Sequence, residues 1–322
     1  MNTTGYIFRL TTFGESHGPA TGGVIDGMIP GFRINFDHIR QAIAARKPGA
    51  PGTTGRREAD EPEFLSGLLD GVTLGTPIAF IVRNSDTRSS DYEELRHTFR
   101  PNHADYTYEA RYGIRDWRGG GRASARETLA RVIAGAIAEQ VLNSLGITIE
   151  AYVDNIGGSA DATAAIEEAR RDADTLGGAV GCIVRGVPAG IGAPVFGKLQ
   201  ASLAAAMMSI PAAKAFEYGD GTLSATMRGS ESLDDFTFTT NHSGGIQGGI
   251  SNGADITMKV TFKPIASLPG REVNTINDKG ERTTLKLRGR HDVSAVPRAV
   301  PVVKAMAAIT ILDHLLFTRT LH

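Results

Sequence analysis

The stretch "DWRGGGRASARETLARVIAGAIAEQVLNSLG" (116–146) decides how this chain folds. Leu129, Val132, Ile133, Ala136, Ile137 and Val141 recur at the three- and four-residue spacing of one helix face. Ser124 and Glu127, three apart, form a capping-box pattern and predict the helix start. Gly119, Gly120 and Gly121 feed directly into that start, where exposed backbone N–H groups attract anions. Arg122 and Arg126 sit on it, with Arg118 just before. Each could add a charge-assisted hydrogen bond worth about 1.5–3 kcal/mol. A P-loop is excluded because no G-K-[ST] follows the glycines. No G-x-G-x-x-G lies between a strand and a helix here, which excludes a dinucleotide fingerprint.

Outward from this helix the elements are mixed. "YIFRLTTF" (6–13) alternates as a strand, and "GGVIDGMIPG" (22–31) reads as a strand and turn. "FDHIRQAIAARKPG" (36–49) predicts a helix ending at Pro48-Gly49. Strands are predicted at 76–84, 178–188 and 254–264, and a helix at 198–210. Residues 155–175 read as a surface excursion with a short helix, and 264–290 as a long loop with a short strand at "TTLKL". A last helix starts near Pro297–Pro301, where proline suits the first turn. Without regular β-α-β alternation, the class is α+β.

The 322 residues could bury a large core. A net charge of −1 gives no field for nucleic acid or a membrane surface. Of the 34 basic residues 26 are Arg, the planar fork that binds phosphate and carboxylate, although base composition of a genome gives the same bias. The single Cys182 excludes an intrachain disulfide and a cysteine metal cage. No H-x-x-x-H or H-E-x-x-H pattern points to a metal. The opening "MNTTGYIFRLTTF" lacks a signal-peptide pattern, so the cytoplasm is the expected location. "AVPVVKAMAAITILDHLLF" (299–317) is interrupted by Lys304, Asp313 and His314 and is expected to be a buried core helix.

Gly14-Glu15-Ser16-His17-Gly18 spells the G-x-S-x-G of a hydrolase elbow. That elbow needs a helix next, and "PATGGVIDGMIPG" cannot start one. Further polar clusters are "FRPNHADYTYEARYG" (99–113), "NHSGGIQGGISNG" (241–253) and "LRGRHDVSAVPRAVP" (287–301). Each sets His, Arg or Asp beside glycine or a helix start. Together they describe a site for a phosphorylated ligand, with histidines able to protonate a leaving phosphate.

These segments resemble the chorismate synthase family along nearly the whole chain. "GESHG" (14–18), "GGRASARETLARVIAGAIA" (120–138) and "RGRHDVSAVPRAVPVVKAMAA" (288–308) carry the likeness, with "RPNHADYTY" (100–108) and "KPIAS" (263–267) in support. The resemblance implies a layered fold of helices sandwiched between antiparallel sheets, a single domain over 1–322, and a homotetramer. It implies anti-1,4 elimination of phosphate from 5-enolpyruvylshikimate 3-phosphate to give chorismate, with reduced FMN as cofactor and NADPH as a candidate reductant. A flavin-dependent oxidoreductase or electron carrier on the same scaffold is the alternative.

By this resemblance His17 protonates the departing phosphate, His103 sits by the flavin, and Asp292 assists removal of the C6 proton. Ser16, Arg40, Arg46 and Arg126 fall to the substrate. Arg122, Ala123, Ser124, Pro211, Ala212, Gly248, Lys263, Pro264, Ile265, Ala266, Ser267 and Arg290 fall to the flavin. The chain departs from the family pattern in three places. The basic residue usual shortly after Arg46 is missing near Gly52, leaving Arg56 or Arg57 to replace it. Pro211 stands where Asn is common and can donate nothing. "HDVSAVP" lacks the usual Pro-Cys after the Asp.

Overall fold

The computed structural model describes residues 1–47, 60–84, 89–237, 239–268, 270–286 and 292–319. One antiparallel sheet is built from β1 (Thr3–Thr4), β2 (Arg9–Phe13), β3 (Ala20–Asp26), β4 (Glu63–Phe64) and β7 (Ile78–Arg83), in the order β1-β2-β3-β7-β4. A small hairpin, β5 (Leu68–Leu69) with β6 (Val72–Thr73), precedes β7. A second antiparallel sheet holds β8 (Thr148–Ile156), β9 (Gly178–Arg185), β10 (Ala213–Tyr218) and β13 (Ile256–Phe262), in the order β10-β13-β9-β8. Two further hairpins are β11 (Ile246–Gln247) with β12 (Ile250–Ser251), and β14 (Glu272–Ile276) with β15 (Arg282–Lys286).

Helices fill the space between the sheets. They are α1 (Phe36–Arg46), α2 (Asp105–Tyr112), α3 (Thr128–Ser144), α4 (Thr163–Arg171), α5 (Leu199–Met208) and α6 (Val296–Arg319). α3 packs on β2 and β3 of the first sheet, α6 on β8 and β9 of the second, and α3 and α6 pack on each other. The expected α+β layering, with helices between antiparallel sheets, is what is found. One core runs from Phe8 to Leu315, with Ile133, Ile137, Val303 and Ile311 wholly buried. Burial of each such side chain is worth about 1.5–3 kcal/mol. α6 is long and apolar enough to cross a bilayer. Its apolar residues are instead the centre of this core, as the sequence predicts.

Two contacts set the layer spacing. Gly135 of α3 faces Ala305 of α6 so closely that a side chain at 135 would lie 2.4 Å from the Ala305 Cα. The buried Asp313 of α6 accepts backbone hydrogen bonds from Tyr6, Ile7 and Phe8 at 2.7–3.0 Å. Those N–H groups are therefore turned to the helix. This is why β2 begins at Arg9 rather than at Tyr6, where the alternation starts.

Two other expectations are corrected. Between 264 and 290 the described residues hold two strands, not one. "EVNTI" carries too little apolar alternation to announce β14, which is defined only by its pairing with β15. The capping box is half formed: Ser124 Oγ accepts from the Arg126 N–H at 3.3 Å, whereas the Glu127 carboxylate is taken by Arg131 at 2.8 Å.

Gly135→Ala forces the α3–α6 crossing apart. It is expected to cost about 1–3 kcal/mol of stability in denaturant unfolding, the usual penalty for overpacking.

Candidate active site

The glycines at 119–121 adopt φ of +61°, +83° and +52°. Only glycine takes such a run of left-handed conformations without strain. A side chain at 119 would meet the His17 ring at 2.4 Å and Ser16 Oγ at 2.6 Å. One at 120 would meet the Arg100 guanidinium at 3.2 Å and the His103 ring at 3.3 Å. The turn is thus a wedge between two histidine loops from distant parts of the chain. Its carbonyls hold the first loop: Ser16 Oγ donates to Gly119 O at 3.0 Å, and Ser16 N to Gly121 O at 3.3 Å. Ser16 is followed by β3 rather than a helix, which agrees with rejecting the hydrolase elbow. The glycines do not run straight into α3, since a tight turn over Ala125–Glu127 stands between.

A cavity of about 720 Å³ opens beside the wedge. Cofactor and ligand sites occupy about 300–1,000 Å³. Arg122, Ala123 and Ser124 line it from the wedge side, Pro211 and Ala212 from the loop before β10. Lys263 through Ser267 line it from the end of β13, and Arg46, His103 and Asp292 complete the wall. Ser16 and His17 stand just behind this wall, through Gly119 and Tyr92, which both line it. The His17 ring meets Tyr92 edge-on, centroids 5.1 Å apart.

His103 is fixed by charge. Arg100 binds the Asp105 carboxylate through two side-chain bonds of 2.7 and 2.8 Å, and both residues are buried. The Oδ1 that accepts from Arg100 Nη2 also lies 2.9 Å from His103 Nδ1, a short but bent contact. Burial pushes the Asp105 carboxyl upward, but the contacts from Arg100 and His103 prevail and hold it well below the usual carboxylate range. Burial lowers the His103 imidazole, and Arg100 and Lys263 push the same way against Asp105. The balance of these effects favours the neutral ring.

Arg46 is buried, with Nε on Thr128 Oγ1 at 3.0 Å and Nη2 on Ala125 O at 2.8 Å. Asp292 is held by Arg298 at 2.8 Å. Arg122 reaches Thr12 Oγ1 at 2.8 Å and the Asn2 side chain at 3.2 Å.

A family model described as chorismate synthase matches residues 8–316. The chain is 49% identical to the chorismate synthase of Bacteroides thetaiotaomicron, over 99% of each protein. It is 48% identical to that of Porphyromonas gingivalis, over 99% of this chain and 97% of that protein. A crystal structure of chorismate synthase superposes with a TM-score of 0.74 at 26% identity, covering 97% of this chain and 92% of that one.

The chain belongs to the chorismate synthase family. As a chorismate synthase it is a carbon–oxygen lyase of the shikimate route to the aromatic amino acids.

Some residues expected at the chorismate synthase site lie away from the cavity. Arg126 points instead to Asp60 at 2.8 Å and Asn84 at 2.7 Å. Arg40 is exposed and paired with Asp37 and Glu61. Gly248 makes the tight turn between β11 and β12, with φ of +61°. Arg290, Gly52, Arg56 and Arg57 lie outside the described residues.

Other residues reach the cavity unannounced: Tyr92, Tyr108, Arg131, Lys214 and Arg298. Lys214 had a signal. It ends "SIPAAK", and a bulge between Ala213 and Ala215 shifts it out of the β10–β13 register. Bulges beside active sites re-aim side chains in this way. Burial lowers the Lys263 ammonium, and Lys214 lowers it further, so two cations converge on one wall. Ala212, before the bulge, is held at φ +69°, a strained angle for alanine.

Asp105→Asn leaves the Arg100 guanidinium buried without its counter-charge. A loss of about 3–5 kcal/mol in unfolding stability at pH 7 is expected. The folded carboxyl lies below its unfolded value, so this contribution is complete at neutral pH and fades as the pH falls below about 4. In the same variant an NMR titration should find His103 with a still lower pKa.

Proposed function

We propose that this chain catalyses the anti-1,4 elimination of phosphate from 5-enolpyruvylshikimate 3-phosphate, giving chorismate, with reduced FMN bound in the 720 Å³ cavity. The observation that carries this reading is the wedge at 119–121, which sets Ser16 and His17 on one side and Arg100 and His103 on the other, at the wall of a cavity that also holds Asp292. Elimination of phosphate needs an acid for the leaving oxygen, a base for the proton and a cationic wall for the anion.

The residues fit a flavin nucleotide. Lys214 and Lys263 converge on one wall, which suits a phosphate, and Ser267 adds a buried hydroxyl donor. Ile265, Ala266 and the 122–124 and 211–212 backbone supply the flatter walls. A reduced flavin held there would supply the electron density that eases phosphate departure, with no net redox change.

His17 carries the proton given to the leaving phosphate oxygen. It is orientated by the Tyr92 ring and by the glycine turn behind it. Asp292 accepts the C6 proton. His103, seated on Asp105 and on the cavity wall, would lie beside the flavin and could offer it a proton or a hydrogen bond. Arg46 attracts an anionic group of the substrate from the junction of α1 and α3. Ser16 supports the loop. The whole chain acts as one domain in the cytoplasm, assembled as a homotetramer, with NADPH as a reductant for the flavin.

An anaerobic assay with dithionite-reduced FMN and the shikimate ester tests this directly. Chorismate absorbance and free phosphate are expected to rise together, and only with reduced flavin. His17→Ala should retain FMN binding and lose about 10²–10⁴-fold in turnover, the usual share of a general acid. NADPH oxidation with an artificial acceptor, without chorismate, would favour the electron-carrier reading instead.

A further inference from the structure

Arg298 is the third residue of α6, where the positive end of the helix dipole disfavours a cation. Something must offset that position, and two groups do. Its Nη1 donates to Asp292 Oδ2 at 2.8 Å, and its Nε donates to the Arg46 carbonyl at 3.3 Å. Arg46 is the last residue of α1, so this carbonyl is one of the helix-terminal acceptors that lack an intrahelical partner. The Arg46 side chain is in turn fixed to Ala125 and Thr128 at the start of α3. One guanidinium therefore ties together the end of α1, the start of α6 and the carboxylate of Asp292. Arg298, Arg46 and Asp292 all line the cavity. Among the described residues, those from Asp292 to α6 form a short loop, and a loop carboxylate needs an external anchor to hold a reactive geometry.

We infer that Arg298 is a positioning residue for the proton-removing carboxylate, acting through Asp292 while it caps α1. This rests on the elimination reading above. Its planar fork serves two acceptors in divergent directions at once, which a lysine ammonium at the same place does not reproduce. The step it serves is balanced within that reaction: the C6–H bond breaks and its proton goes to the Asp292 carboxylate, its electron pair forms a double bond between C6 and C1, the C1–C2 π pair shifts to C2–C3, and phosphate leaves with the C3–O bond pair.

The test uses the full chain with reduced FMN and two variants, Arg298→Lys and Arg298→Ala. Turnover is compared for the ordinary ester and for one carrying deuterium at the C6 position that is lost. A displaced carboxylate slows proton removal selectively. Arg298→Ala is expected to lose about 10²-fold in kcat, the scale of an ångström-sized misplacement. KM and FMN affinity should change less than about threefold, and the isotope effect should rise above that of the wild type. Arg298→Lys should recover part of kcat with an intermediate isotope effect, and it is the variant to read if the alanine form fails to fold.

An unchanged isotope effect with parallel losses in kcat, FMN affinity and melting temperature in both variants would overturn the positioning role and leave only a helix cap. Wild-type turnover in both variants would overturn it too. Absence of chorismate from the wild-type enzyme itself would instead overturn the elimination reading, and the role of Arg298 with it.

Discussion

Three consecutive left-handed residues at 119–121 are the constraint on which the site depends. A backbone without Cβ atoms passes between the Ser16–His17 and Arg100–His103 loops with no room to spare. Neither loop belongs to a rigid element at that point. Each takes its place from the turn and from a few polar anchors: the Ser16 bonds to Gly119 and Gly121 on one side, the Arg100–Asp105 pair on the other. Glycine pays the largest backbone entropy on folding, so three in a row hold this shape only because packing on both faces over-determines it.

The rest of the fold serves that turn. α3 carries it at one end and is pressed against α6 through Gly135 and Ala305. α6 in turn holds the strand leading to His17 through Asp313, and its own first turn holds Asp292 through Arg298. The two long helices between the sheets thus connect all three groups assigned to the chemistry. Charge follows the same logic. The buried carboxylate Asp105 is stable because Arg100 meets it bidentately, and burial with nearby cations lowers the pKa of His103.

Much of this could be read from the residues. The apolar spacing of 128–141 gave α3, and the length and composition of 299–317 gave α6 as a core helix, because periodicity reports burial directly. The cavity residues at 122–124, 211–212 and 263–267 were reachable only through the family resemblance, which is carried by long contiguous motifs. What could not be read was three-dimensional pairing. Arg126 reads as an anion ligand on a helix start, and its pairing with Asp60, 66 positions away, has no trace in the sequence. Asp313 looks like an interruption of an apolar helix until three backbone N–H groups arrive from the other end of the chain. β14 has no pattern of its own and exists through its partner. Lys214 and Arg298 were visible as letters, but a bulge and a helix-end carbonyl give them their directions.

The most direct measurement of this account is the anaerobic turnover of Gly119→Ala, read beside its FMN affinity. A methyl group there must displace the His17 ring, which lies 2.4 Å from it, and it strains a residue held at φ +61°. The wedge account predicts a fall in turnover of about 10²-fold, with FMN still bound because the cavity walls at 211–212 and 263–267 are untouched. Turnover equal to the wild type would contradict it, and would mean that His17 and the glycine turn are not parts of one catalytic arrangement.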